Sequence, residues 1–168
     1  DPKLFSLSER YDFFDKLVLF EDPNNYFRIR LSIFSRFESN RPHFHRWSYV
    51  AHVLKGNYLH SVFGDEYQLI NPTNKGVFPT NIYEVNENDT YFLDHSRVHA
   101  VKAKEGTVSL LLQGPPQKEK FLVIDRKTNR KWWEYGSNQE TFDEQLRKKM
   151  SQERLVQMIS FLTKTEIL

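Results

Sequence analysis

The sequence contains no cysteine, and that absence removes disulfides, thiolate metal sites and cysteine nucleophiles together. It leaves the redox compartment open. No apolar run approaches the roughly 20 residues that a bilayer span needs. No signal-peptide pattern is visible either, so the expected location is cytoplasmic, with no membrane partner. An excess of one charge is also missing: 24 Lys and Arg against 22 Asp and Glu give a formal net charge of +2. A nucleic-acid-binding surface wants a basic face, and none is indicated. Internal repeats and low-complexity stretches are absent. The sequence opens on Asp1 rather than Met, as a processed chain or a domain taken from a longer protein would.

What is present is apolar and aromatic material. Hydrophobic residues make up 39% and aromatics 15%, with 14 Phe among 168 residues. That is enough to build a core, which excludes global disorder, and the length suits one compact domain.

Three zones follow along the chain. Residues 1–25 read as an N-terminal helical segment. Ser6-Leu7-Ser8-Glu9 has capping-box spacing, and Tyr11, Phe14 and Leu17, three apart, suit one packed helical face. Residues 26–135 read as strands. In Tyr26–Ser35, Phe27, Ile29, Leu31 and Ile33 alternate with Arg28, Arg30, Ser32 and Phe34, so one face is apolar and the other carries two arginines. Further strands are expected at His45–Leu54, Asn57–Phe63, Asn81–Val85, Thr90–Leu93, Ala100–Lys102, Thr107–Leu112 and Phe121–Asp125. Turn-forming runs separate them, among them Lys55-Gly56-Asn57, Asn71-Pro72-Thr73-Asn74 and Asn86-Glu87-Asn88-Asp89. Many short strands without intervening helices imply an all-β antiparallel sandwich or barrel. Residues 136–168 read as a C-terminal helical segment. Thr141-Phe142-Asp143-Glu144 is a second capping box, and Leu155, Met158, Ile159 and Leu162 form an amphipathic stripe for the outside of the sheet or a second subunit.

Six histidines carry the functional reading. His43 and His45, at i and i+2, fall on one face of a strand. Two such imidazoles need one more ligand to hold an ion, and His99, opening a distant strand, can supply it across a barrel interior. An exposed polar face is the competing explanation of a His-x-His pair. Tyr49 lies at an even offset from both histidines, on the same face if the strand is unbroken. Gly56 follows where the strand must turn.

These residues resemble the cupin superfamily. His43-Phe44-His45 through Tyr49 to Gly56 matches its first motif, His-x-His, a Glu, then Gly. Asn88 through Asp94, Ser96 and His99 follows the spacing of the second, with Asn88, Asp94 and Ser96 in place of Gly, Pro and Gly. The resemblance covers roughly residues 26–125 and implies a single double-stranded β-helix, a jelly-roll barrel with a short N-terminal helix and C-terminal helices. Tyr49 stands where cupins commonly place a Glu ligand, and a neutral phenol, with a reference pKa of about 10, is a poor ligand. The implied ligands are therefore His43, His45 and His99. That set is similar to the three-histidine site of the thiol dioxygenases, while the chain overall is similar to short uncharacterised bacterial cupins. All-imidazole sites suit Fe(II), Zn, Cu or Ni. The resemblance favours Fe(II), with Zn, Ni or Mn as alternatives.

Tyr49, Arg28 and Arg30 are the candidate catalytic residues. Tyr49 and Trp47 would wall the pocket. An arginine facing inward would clamp a substrate carboxylate, although a solvent-facing strand surface is the simpler reading of both arginines. His52 should point outward. His60 could line either cavity or surface, and His95 lies in a turn. Gln113, Tyr83 and Tyr91 are candidate ligand contacts, and Trp132-Trp133 a packed strand-end cluster. The expected function is a mononuclear non-haem oxygenase acting on a small polar metabolite. A metal-dependent isomerase or lyase, or a non-catalytic ligand-binding protein, stands as the alternative. A homodimer is implied by the resemblance.

Overall fold

A computed structural model describes residues 1–35, 41–72, 77–136 and 139–168. The turn expected at Asn71–Asn74 falls partly outside them, at residues 73 and 74. Helix α1 (Pro2–Ser6) is followed by β1 (Glu9–Arg10), β2 (Phe14–Glu21), β3 (Arg28–Phe34), β4 (Tyr49–Lys55) and β5 (Asn57–Asp65). Then come α2 (Glu66–Ile70), β6 (Asn81–Asn86), β7 (Thr90–Leu93), β8 (Arg97–Ala103), β9 (Val108–Gln113), β10 (Lys120–Asp125) and β11 (Arg130–Tyr135). Helices α3 (Phe142–Lys148) and α4 (Gln152–Lys164) close the chain. Among the described residues all strand pairs are antiparallel, in sheets of order β1-β2-β3-β9-β4-β7, β6-β5-β8 and β10-β11. The expected all-β jelly-roll with short terminal helices is the fold observed.

The six-stranded sheet forms one wall. The other two sheets are stitched into the opposite wall by His43, whose backbone bridges both His99 in β8 and Val123 in β10. The inner faces meet through aromatic contacts such as Phe34 with Tyr58, at 6.1 Å between ring centroids, and Tyr49 with His99, at 6.3 Å.

The helix expected through Tyr11, Phe14 and Leu17 is not formed. The only helix there is α1, capped by Asp1. Ser6 is its last residue, and the Ser8 hydroxyl accepts from the Val18 backbone N–H at 3.0 Å rather than capping a helix. Residues 14–21 are instead strand β2, paired with β3 along its length and carrying a bulge between Val18 and Phe20. That bulge breaks the period-two pattern and hides the strand from sequence reading. Strand β11, paired with β10 in full register, was likewise not expected. The Thr141 capping box forms.

Helix α4 decides which side of the six-stranded sheet is inside. Its Met158 and Leu162 bury against Leu17, Leu31, Ile33 and Val108. The Arg154 guanidinium holds the buried Asp15 carboxylate through Nε at 3.0 Å. Ile159, placed by its spacing on the packed stripe, is 44% exposed, and Phe161 packs at the core's edge. The apolar stripe of β3 therefore faces outward onto a helix. The alternate stripe, with Arg30 and Ser32, faces the barrel interior, where both are buried.

Candidate metal centre

His43 and His99 are direct cross-strand partners. The His43 N–H donates to the His99 carbonyl at 3.0 Å and the His99 N–H to the His43 carbonyl at 2.9 Å. Side chains on such a pair project to the same side of the sheet. His45, two residues on, joins them, and its N–H is bonded to the His95 carbonyl at 3.2 Å. One ring nitrogen from each of His43, His45 and His99 lies within 4.8 Å of the other two. The ring centroids are 4.7 to 5.0 Å apart.

The donor set fits a divalent transition metal. Burial holds the His43 imidazole below its ordinary pKa, partly offset by its bond to the Arg41 carbonyl. Burial, reinforced by neighbouring histidines, holds His45 and His99 well below theirs. All three are thus neutral and able to ligate. His43 Nδ1 donates to the Arg41 carbonyl at 2.9 Å, which leaves its Nε2 lone pair for the centre. Among the described residues this is the one group of three or more histidine, aspartate or glutamate side chains with such convergence.

Tyr49 reaches the site by a different route from the one its spacing suggested. The expected strand from His45 to Leu54 begins only at Tyr49, with residues 45–48 outside it, and runs on to Lys55. The chain there crosses from one wall to the other. Tyr49 therefore faces the histidines from the opposite sheet, its ring edge-on to His45 at 5.2 Å. Its hydroxyl belongs to a row of three phenols, with Tyr58 donating to Tyr91 at 2.8 Å and Tyr91 lying 3.5 Å from Tyr49. Burial raises the Tyr49 phenol well above its usual pKa, and raises Tyr58 and Tyr91 too. These groups are proton holders at neutral pH.

Arg30 and Arg28 part company. Arg30 is 4% exposed, its guanidinium lying 5.0 Å over the Trp47 ring, which stacks on His45 at 4.7 Å. Its Nε has no hydrogen-bond partner, Nη1 reaches only Ser32 Oγ at 3.4 Å, and no carboxylate pairs with it among the described residues. Arg28, by contrast, is engaged by Glu21. Lys16, also on the inner face, is paired with Glu9 and lies near the Tyr11 hydroxyl.

His52 faces outward, bonded to Thr90 Oγ1 at 2.7 Å. His95 sits 3.3 Å from Ser48 Oγ. Gln113 pairs in register with both Arg28 and Tyr49. Trp133 packs edge-on to Phe44 at 6.4 Å. His60, ambiguous in sequence, is fully buried, and its Nε2 lies 2.8 Å from His99 Nδ1. Its alternation with the buried Tyr58 in β5 was the available signal.

No protein-family model matches the chain, and no similar curated protein is found. Similar solved structures include KdgF from Halomonas sp., with TM-score 0.47 and 13% identity over 64% of this chain and 86% of that one. Ectoine synthase from P. lautus gives TM-score 0.49 and 11% identity over 66% and 70% of the respective chains. An RmlC-like cupin from Shewanella frigidimarina gives 0.46 and 17% over 66% and 85%.

Proposed function

We propose that this protein is a mononuclear metal enzyme in which His43, His45 and His99 hold Fe(II), and that it oxygenates a small carboxylate-bearing metabolite inside the barrel. The observation that carries the reading is the meeting of three neutral imidazoles, His99 buried and His43 and His45 half-buried, with an Arg30 that no carboxylate among the described residues compensates, on the far side of Trp47. A bound Fe(II) supplies redox chemistry toward dioxygen while its all-imidazole ligands leave its positive charge undiminished. Arg30 binds the anion, since a buried guanidinium without a partner gains most from a bidentate carboxylate. Tyr49, kept protonated by burial, donates a hydrogen bond to the substrate and orients it. Trp47 and Phe121, whose rings lie 4.7 and 6.2 Å from that of His45, exclude water from one side.

The row of Tyr58, Tyr91 and Tyr49 hydroxyls favours a second reading. A hydrogen-bonded line of phenols suits proton relocation within a substrate, as an isomerase or lyase requires, with the metal as a Lewis acid. Oxygen consumption during turnover separates the two.

Metal analysis of protein purified without a chelating tag tests the centre itself. Close to one equivalent of a transition metal is expected, and loss of it in His99→Ala. A wild-type content below about a tenth of an equivalent, both as purified and after incubation with Fe(II) or Zn(II), removes the proposal.

A further inference from the structure

The His99 ligand is not the end of its hydrogen-bond chain. Its Nδ1 lies 2.8 Å from His60 Nε2, and His60 Nδ1 lies 3.0 Å from the Tyr83 hydroxyl. His60 has no exposed surface, whereas Tyr83 is 37% exposed. The line therefore runs from the centre of the barrel through β8, β5 and β6 to the outside, and the register supports it: His60 is the direct cross-strand partner of Tyr83. These strands carry no other histidine, and neither the ligand set nor the proposed chemistry uses His60 or Tyr83.

Two proton arrangements satisfy this line. In one, Tyr83 donates to His60, His60 donates to His99, and the remaining proton of His99 sits on Nε2, where a metal must bind. In the other, His99 Nδ1 donates to His60 Nε2 and His60 Nδ1 donates to the Tyr83 oxygen, leaving the His99 Nε2 lone pair free. Only the second is compatible with ligation, since a metal takes the place of the Nε2 proton. His43 has the same device in simpler form, its Nδ1 proton held by the Arg41 carbonyl.

We infer that His60 is the positioning residue of the metal centre, accepting the His99 Nδ1 proton and passing its own to Tyr83, so that His99 is fixed as an Nε2 ligand with its ring held in place. This rests on the proposed metal site. His60 does not itself touch metal or substrate. Its replacement acts through His99, because an apolar side chain in that buried position leaves the Nδ1 proton without an acceptor.

The test measures Co(II) binding to the full chain by titration, together with the visible spectrum of the Co(II) complex and the imidazole ¹⁵N shifts of the Zn(II) complex. His60→Leu is expected to weaken Co(II) binding by about 10- to 100-fold, the usual cost of removing such a partner, and to alter the spectrum. His60→Gln, whose amide oxygen can accept the same proton, restores most of the affinity. Tyr83→Phe, at a part-exposed position, is expected to fold and to show a smaller loss. It decides the matter if His60→Leu does not fold. In the wild-type Zn(II) complex, His60 should carry its proton on Nδ1. Wild-type Co(II) affinity and spectrum in the folded His60→Leu variant, or in Tyr83→Phe if that alone folds, overturn the inference while leaving the centre standing. Failure of the wild-type chain to take up Co(II) overturns both.

Discussion

His45 and His99, 54 residues apart in the chain, bring their Nε2 atoms to 2.8 Å from one another. At that separation there is room for one proton between the two nitrogens, and two imidazolium rings would set N–H against N–H. The barrel therefore favours neutral imidazoles at this point, which is the protonation state a divalent metal needs.

The same preference makes stability depend on pH in the chelator-treated protein. Burial pushes His60 down to about 4 and holds His45 and His99 well below their ordinary value. The unfolded chain takes up these protons near pH 6.5, whereas the folded one does not. Below that pH the unfolded state binds more protons, and stability falls as the pH falls, by up to about 1.4 kcal/mol per pH unit for each histidine. Urea midpoints measured between about pH 7 and pH 5 should therefore drop on the acid side, and His60→Gln should show a shallower slope. A flat profile through this range contradicts neutral burial.

Arg30 should be costly to the fold and useful to the site. Its guanidinium is buried with an unpartnered Nε, so Arg30→Met is expected to leave stability unchanged or raise it by roughly 1 to 3 kcal/mol. The same variant should lose the thermal stabilisation that small carboxylates give the wild-type protein. The paired readout is a melting curve with and without a panel of such acids. A large fall in melting temperature on substitution, with ligand stabilisation intact, assigns Arg30 to structure alone.

Gly56 ends the histidine motif for a reason of backbone geometry. Its φ is +77°, and a Cβ there would stand 2.7 Å from Thr107 Oγ1 and 3.1 Å from Thr107 Cα. Thr107 is fully buried and donates to the Asn57 carbonyl at 3.0 Å, so it has little room to yield. Gly56→Ala should cost about 2 kcal/mol, from left-handed strain plus the clash. Chemical denaturation measures it, and a loss under about 0.5 kcal/mol would mean the turn relaxes freely.

Where alternation was clean, as in β3, the strand was legible, because period two is a local property of the chain, and β5 and β9 were legible as short apolar runs between turns. It failed at β2, where Leu17 and Val18 are both buried beside a bulge, and at β11, where charged and aromatic residues mix without a period. The histidine cluster was legible: His43, His45 and His99 are the residues that meet. The role of His60 was not, since its spacing from Tyr58 can place it on an inner face but cannot show which side chains it meets there.

By itself the sequence determined the kind of backbone, the turn positions, the absence of thiol chemistry and the three imidazoles available to a cation. Only the tertiary structure decided which face of β3 is inside. Alternation says that two faces differ, but the apolar one turns outward here because α4, more than a hundred residues downstream, supplies a cover for Leu31 and Ile33. That long-range packing leaves Arg30 in the interior and lets rings from two separate segments converge. Both results depend on chain closure that no local pattern encodes.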